Sequence, residues 1–268
     1  MKVKGKVIVV TGAGSGMGRE ITLQLIKMGA IVAMVDINEE GMIETGRLSN
    51  SGSFSIHVAS ISDKEKVESL PQDVIAIHGA VDGIINNAGI IQPFIPVMEL
   101  GYDVITRIMD INFYGTLYMC KAFLPHLVKR PEAHIANVSS MGGFIPFPGQ
   151  TLYGASKAAV KLLTEGLYTE LKETNVGVTI IHPGAINTNI MSNSGIQTKE
   201  EEAKQKEAAA ANQTTSAKDA AAQIIAGIEG NKYRVMVGKD AKMLDKLYRL
   251  MPQKAVNFIT KQMGKMRK

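Results

Sequence analysis

Tyr153 and Lys157 stand four residues apart, about one helical turn, so on a helix they share a face. A phenol beside an ammonium is a proton donor and acceptor that can work near neutral pH. Tyrosine titrates near 10 unperturbed, and bringing it to about 7 takes roughly 4 kcal/mol of extra stabilisation of the phenolate. One cation at about 4 Å in an effective dielectric of about 20 is worth roughly that much. Upstream, Asn137-Val138-Ser139-Ser140 brings two hydroxyls. Such a set suits moving a proton to or from a substrate oxygen. The Tyr–Lys spacing alone is equally that of an amphipathic helix with an exposed lysine, so the surrounding elements decide its meaning.

Those elements begin at Lys6-Val7-Ile8-Val9-Val10, an unbroken β-branched run of the kind buried on both faces of a sheet. It enters Thr11-Gly12-Ala13-Gly14-Ser15-Gly16-Met17-Gly18, and Ile21, Leu25 and Met28 then follow helical spacing. Strand, glycine-rich turn and helix in that order form a phosphate cradle: glycines admit close backbone approach, and the helix N-terminus offers N–H groups. A second strand, Ile31 to Val35, ends at Asp36, 18 residues after Gly18. A carboxylate there can accept both hydroxyls of an adenosine ribose. It would repel a 2′-phosphate, and Ser15 and Ile37 fill the places where a basic residue could hold one. The expectation is NAD(H) over NADP(H).

Further on, Gly52 to Ser60 reads as a third strand, followed by a polar helix that Ser62 or Asp63 could cap. Val81 to Ile85 reads as a fourth, running into Asn86-Asn87-Ala88-Gly89. Gly101 to Val128 reads as one long helical segment with Asn112 midway, an indifferent helix former that needs a partner or a task. His134 to Val138 forms a fifth strand that delivers Ser139 and Ser140 at its carboxyl end, the edge where open parallel sheets place ligands. A helix Thr151–Glu173, a strand Val176–Ile181, a turn His182 to Thr188, a helix Lys218–Ile228 and a strand Tyr233–Gly238 complete the alternation. The pattern predicts one α/β domain, a doubly wound parallel sheet of about seven strands with helices on both faces.

With these residues in place, residues 5 to 240 resemble the short-chain dehydrogenase/reductase family, Rossmann-fold enzymes dependent on NAD(P). The resemblance rests on Thr11 to Gly18, Asn86-Asn87-Ala88-Gly89, Asn112, Tyr153-x-x-x-Lys157, and Pro183-Gly184 with Thr188. It implies hydride transfer between a secondary alcohol or carbonyl and nicotinamide. Tyr153 would be the acid/base, and Lys157 would lower its pKa and bind the nicotinamide ribose. Ser140, thirteen residues before the tyrosine, would hold the substrate oxygen in preference to Ser139, and Asn112 would position a water. The implied cofactor contacts are Gly12, Ser15, Gly16, Met17, Gly18, Asp36, Ile37, Ser60, Ile61, Asn87, Ala88, Gly89, Tyr153, Lys157, Pro183, Gly184, Ile186 and Thr188. Where many members carry an Asp for the adenine, this chain has Ser60-Ile61. The family also implies a homodimer or homotetramer built on its two long helices.

The residues expected to line the substrate pocket are Ile90, Ile91, Phe94, Met141, Phe144, Phe147, Ile190 and Met191, with Gln92, Gln150 and Asn193 as orienting groups. They point to a lipophilic alcohol or ketone of steroid, retinoid or fatty-chain type. An NADP-dependent acyl-carrier ketoreductase is a further enzymatic alternative, disfavoured by Asp36. A non-catalytic dinucleotide-binding scaffold is another, disfavoured because Tyr153 and Lys157 are both present. A charged, alanine-rich helix at Lys199 to Ala211 is expected inside a lid spanning about 189–215.

The chain has 268 residues, of which 45% are hydrophobic and 21% charged, as in an ordinary globular protein. A single cysteine, Cys120, gives no disulfide framework and suits a reducing compartment; a buried filler is the expected role. The five histidines have no ligand spacing, so no metal is expected. No run approaches the roughly 20 apolar residues of a membrane span. A soluble, cytoplasmic enzyme is the expectation. The net charge of +5 is concentrated in 239–268, with nine Lys/Arg against two Asp. Residues 1–238, the expected NAD-binding domain, therefore carry a net −2, and nucleic acid is not an expected partner. The extension reads as basic amphipathic helices around Pro252, able to dock on the protein or to touch a membrane surface peripherally.

Overall fold

The structure is a computed structural model that describes residues 1–196 and 214–266, with side chains through 263. A central sheet of seven parallel strands has the order β3-β2-β1-β4-β5-β6-β9. The first half comprises β1 (Val7–Thr11), α1 (Gly16–Lys27), β2 (Ile31–Asp36), α2 (Glu39–Ser49), β3 (Phe54–Val58) and α3 (Lys64–His78). The second comprises β4 (Gly83–Asn86), α4 (Tyr102–Met109), α5 (Thr116–Leu127), β5 (Ala133–Val138), α6 (Thr151–Glu170) and β6 (Val176–Pro183). A small pair, β7 (Ile186–Asn187) and β8 (Thr215–Ser216), flanks the short helix α7 (Ile190–Asn193). Helix α8 (Ala217–Glu229) leads to β9 (Arg234–Val237), and α9 (Lys239–Leu250) and α10 (Pro252–Met266) end the described chain.

The β-branched runs are continuous because each strand serves two cores. In β1, Ile8 and Val10 face a core shared with α1 and α8, whereas Val7 and Val9 face one shared with α3 and α5. Val32 and Met34 of β2 join the first core, and Ala33 and Val35 join the second. Alternate side chains of a strand point to opposite faces, so neither face of this sheet can be polar. The sheet is doubly wound as expected, and strand order reverses between β1 and β4. At that switch the carboxyl ends of two strands diverge and leave a crevice.

Three local features differ from the sequence reading. The predicted strand Gly52–Ser60 is confined to Phe54–Val58, although Ser53 and Ala59 beside it still bond to β2. The predicted helix Gly101–Val128 begins at Tyr102 and is interrupted by a π-helical turn, Asp110–Gly115, between α4 and α5. Buried Asn112 causes the interruption: its side chain reaches out of the helix to another segment, and wide turns of this kind often mark functional positions. The alanine-rich helix expected at Lys199–Ala211, with most of the expected lid, lies outside the described residues. No helix among the described residues is long and apolar enough to cross a membrane.

Candidate active site

At the crevice, the loop after β1 is held to the loop after β4. Thr11 Oγ1 accepts from the amides of Asn87 and Ala88, each at 3.0 Å, and Asn87 Nδ2 donates to the Thr11 carbonyl at 3.0 Å. The glycines answer to space. A Cβ on Gly18 would run into the carbonyl of Gly12, and one on Gly12, whose φ is +71°, would lie 2.8 Å from Asn87 Nδ2. Helix α1 therefore starts almost in contact with the end of β1. Ser15 precedes it without capping its amides, and Thr188 lies against Gly16, 3.4 Å from where its Cβ would be. An uncapped helix N-terminus behind a Cβ-less turn is a cradle for a diphosphate.

Asp36 stands at the rim of the same cradle. Its Oδ2 accepts from Gly14 N at 2.9 Å and its Oδ1 from Asn38 N at 3.0 Å. Two main-chain donors fix the carboxylate and leave each oxygen a further lone pair to offer. Ile37, beside it, is 73% exposed. Ser60 Oγ pairs with Ser62 Oγ at 2.8 Å, while the Ile61 side chain is buried against Gly115.

Arg19 is a residue the sequence reading passed over. Its Nη2 donates to the Gly14 carbonyl at 2.6 Å and its Nε to Thr45 Oγ1 at 3.0 Å. A cation in a helix's first turn opposes the macrodipole. That mismatch was the available signal that Arg19 has a specific task, here bracing the glycine turn against α2.

Across the switch, Asn112 makes three side-chain hydrogen bonds. Its Oδ1 accepts from Ile90 N at 2.9 Å, and its Nδ2 donates to the Ile90 carbonyl at 2.9 Å and to Ser156 Oγ at 3.0 Å. Ser156 in turn donates to the Tyr153 carbonyl at 2.7 Å. The side-chain amide thus ties the segment after Gly89 to α6, and its Oδ1, with one bond accepted, keeps a second lone pair.

Tyr153 and Lys157 lie on one face of α6, as expected. The half-buried Tyr153 phenol is pushed up by burial and drawn partly back by its hydrogen bond with the Ser140 hydroxyl. Ser140 Oγ also accepts from Gly142 N at 3.0 Å. Ser139, by contrast, is buried and donates to the Lys157 carbonyl at 2.7 Å. The geometry separates the two serines: Ser140 meets the phenol, and Ser139 anchors the helix. The buried Lys157 Nζ donates to the Val138 carbonyl at 3.1 Å, and burial pulls its pKa down to about 8. A Cβ on Gly89 would come within 3.0 Å of that nitrogen and 3.1 Å of Asn112 Oδ1, so this glycine keeps the crevice open in front of the ammonium.

Two of the expected orienting groups are occupied elsewhere. Gln92 is fully buried; its Oε1 accepts from Leu152 N at 2.8 Å and Tyr153 N at 2.9 Å, and its Nε2 donates to the Gly149 carbonyl. It serves as the N-terminal cap of α6. Gln150, also buried, donates to the Gln92 carbonyl at 2.8 Å. Asn193 Nδ2 donates to Ser15 Oγ at 2.8 Å, linking α7 to the glycine turn. Ile190 and Met191 lie in α7, half-buried, and Ile91 N donates to Ser194 Oγ at the end of that helix. Phe94 is 42% exposed.

Met141, Phe144 and Phe147 have a different setting. They pack against Ile145 and against Leu244, Leu247, Tyr248, Ala255, Ile259 and Met263 of α9 and α10. Among the described residues, then, the C-terminal extension folds onto the protein and backs the wall beside Ser140. Arg234 places its guanidinium 5.7 Å from the centre of the Phe144 ring and meets Asp245 of α9 at 2.9 Å. Asp240, in the first turn of α9, accepts from Ala185 N at 2.7 Å, and a Cβ on Gly184 would collide with that carboxylate. The turn from Pro183 through Gly184 is therefore clamped from outside, with Ile186 beyond it paired to Thr215.

His182, buried beneath Ser140, completes the support. Its Nδ1 lies 3.0 Å from the Ser140 carbonyl, so the proton is on Nδ1, and its edge-on neighbour is Phe144. Burial pulls it down to about 4. Cys120 is buried and pushed up to about 12 by desolvation, an inert filler beside the buried amides of Asn86 and Asn137. A cavity of about 300 Å³ lined by Met1, His134 and Asn231 lies at the amino ends of β5 and β6, on the opposite side of the sheet from Tyr153.

A sequence profile described as short chain dehydrogenase matches residues 6–199. The chain belongs to the short-chain dehydrogenase family. It is an oxidoreductase with a Rossmann fold. SadH of Mycobacterium tuberculosis (strain H37Rv), an oxidoreductase by name, is 35% identical over 253 residues, 92% of this chain and 91% of that one. A Burkholderia phymatum short-chain dehydrogenase/reductase in complex with NAD superposes with a TM-score of 0.82 at 22% identity, covering 93% of this chain and 96% of that one. A Burkholderia cenocepacia J2315 short chain dehydrogenase in complex with NADP gives 0.81 at 25% identity, covering 97% and 99%. A nicotinamide dinucleotide is the cofactor class these likenesses support, and the cradle, the fixed carboxylate and the open space at Gly89 fit such a molecule.

Proposed function

We propose that the protein interconverts a lipophilic secondary alcohol and its ketone, with NAD(H) as the preferred cofactor. The observation that carries the reading is the Tyr153 ring and the Ser140 hydroxyl brought to the same side of Gly142, with Lys157 one turn along and facing the space kept open by Gly89. When bound, the nicotinamide accepts the hydride from the alcohol carbon or delivers it to the carbonyl carbon. Ser140 holds the substrate oxygen by a hydrogen bond and so aims it at the phenol. In reduction Tyr153 gives its proton to that oxygen; in oxidation the Tyr153 phenolate takes it back. Lys157 orients the ribose and stabilises phenolate by its charge. The Lys157 ammonium is held in place by its donation to the Val138 carbonyl.

The preference for NAD(H) rests on Asp36. Its carboxylate is held by Gly14 N and Asn38 N and would face the 2′-phosphate of NADP at close range. Titration calorimetry should show NAD(H) binding at least tenfold tighter than NADP(H), and Asp36→Asn should narrow the gap; equal affinities in the unaltered protein would reject the preference. The lipophilic substrate is supported by the half-buried Ile190 and Met191 of α7, the helix that Asn193 links to the glycine turn. A panel of steroid, retinoid, fatty-chain and polyol alcohols with NAD, read at the nicotinamide absorbance, tests it. Turnover confined to the polyols would overturn that choice. Tyr153→Phe should cost about 10²–10⁴-fold in turnover with the dinucleotide still bound.

A further inference from the structure

The outer face of α9 and α10 carries charge of one sign. Lys239, Lys242, Lys246, Arg249, Lys254 and Lys261 are all exposed. Asp240 is turned onto Ala185 N, and Asp245 onto Arg234 with Arg249 3.8 Å away, so among the described residues only Arg249 of the six cations has an ion-pair partner. Four large apolar side chains of the same two helices and the turn between them are exposed: Met243, Leu250, Met251 and Phe258, of which Leu250 is 79% exposed. On a helical wheel Lys239, Met243, Lys246 and Leu250 form one stripe along α9, opposite the buried Ala241 and Leu244. The inner, apolar sides of both helices are already used against Ile145 and the Met141–Phe147 wall. The pattern is therefore not a core face left uncovered. It is a second, outward surface that mixes cations with protruding apolar groups.

We propose that this surface docks on the headgroup layer of an anionic bilayer. The lysines would approach lipid phosphates while Leu250, Met243 and Phe258 enter the acyl boundary, a peripheral contact. A second copy of the chain is a poor occupant, since a two-fold pairing would set two faces of like charge against each other. Nucleic acid would take the cations but would leave Leu250 and Met243 in water, because its backbone offers them no apolar partner. Docking would place the wall beside Ser140 next to the bilayer. For the lipophilic substrate proposed above, on which this part of the inference rests, the enzyme would then work where such molecules are concentrated.

The test uses the full chain and vesicles, with no turnover involved. Co-sedimentation at about 0.1 M salt should show binding to phosphatidylcholine vesicles containing about one third phosphatidylglycerol, and at least tenfold weaker binding to phosphatidylcholine alone. The charge variant Lys242→Gln/Lys246→Gln should lose about tenfold or more. The apolar variant Leu250→Ser/Phe258→Ser should also lose several-fold, which a purely ionic contact would not show. NAD binding by calorimetry should be unchanged in every variant, which separates this result from misfolding and from failure of the enzymatic reading. Absence of binding to the anionic vesicles would overturn the proposal. So would an unaltered affinity in the apolar variant, or equal binding of duplex DNA that is insensitive to the apolar substitutions.

Discussion

The two halves of the crevice are built by different means. On the β1–β3 side, the main chain does the positioning: glycines let α1 start against β1, and main-chain amides hold Asp36. On the β4–β6 side, side chains from distant segments do it. Asn112 reaches from the π turn to Ile90, Gln92 caps α6, His182 supports Ser140, and α9 and α10 back the wall from outside. A backbone-built half tolerates almost no added atom at its glycines. A side-chain-built half can be retuned by residues about a hundred positions away. A common cofactor with variable substrates calls for that division.

The sharpest way to break the comparison is Gly18→Ala. One added carbon would meet the Gly12 carbonyl, which is backbone and cannot rotate aside. Loss of dinucleotide binding beyond calorimetric detection is expected, or loss of the fold. If Gly18→Ala bound NAD within threefold of the unaltered protein, the backbone account of this half would be wrong. The counterpart is Leu244→Ala on the other side. It removes a buried side chain behind Phe144 and should cost about 3 kcal/mol of stability by denaturant titration. Dinucleotide affinity should stay within about twofold, while KM across the alcohol panel shifts. A matching fall in dinucleotide affinity would show that the halves are not independent.

The same division explains what could be read from the sequence. Glycine spacing, Asp36 at a strand end and the Tyr153–Lys157 turn are local patterns whose reasons lie within a few residues, and each stands where its spacing placed it. Ser140 over Ser139 was legible only through family resemblance; the structure supplies the physical reason, since Ser139 is bonded to the Lys157 carbonyl. Gln92, Gln150 and Asn193 were expected as orienting groups, and a side-chain amide near an apolar loop carries no mark in the sequence of the partner it will find. Their partners are Leu152, Gln92 and Ser15, fixed by tertiary packing. The break in the Gly101–Val128 helix was hidden similarly, because the cause of the π turn is the contact of Asn112 with Ile90.

His182 allows the finest test of the side-chain-built half, through acid stability. Its folded pKa is about 4 against about 6.5 in an unfolded chain. Between those values the unfolded state binds the proton and the folded state does not, so stability falls as pH drops below about 6.5 and levels off below about 4. At pH 5 the loss relative to pH 8 should be about 2 kcal/mol from this residue alone. Buried His134, pulled down to about 3, adds a loss in the same direction. His182→Asn keeps a donor near the Ser140 carbonyl but does not titrate. Chemical denaturation of the variant from pH 8 to 5 should therefore show a shallower slope by about one proton near pH 5, with the His134 contribution remaining. An unchanged slope would mean that His182 is open to water in the folded protein, and the support beneath Ser140 would have to come from Phe144 and the C-terminal helices instead.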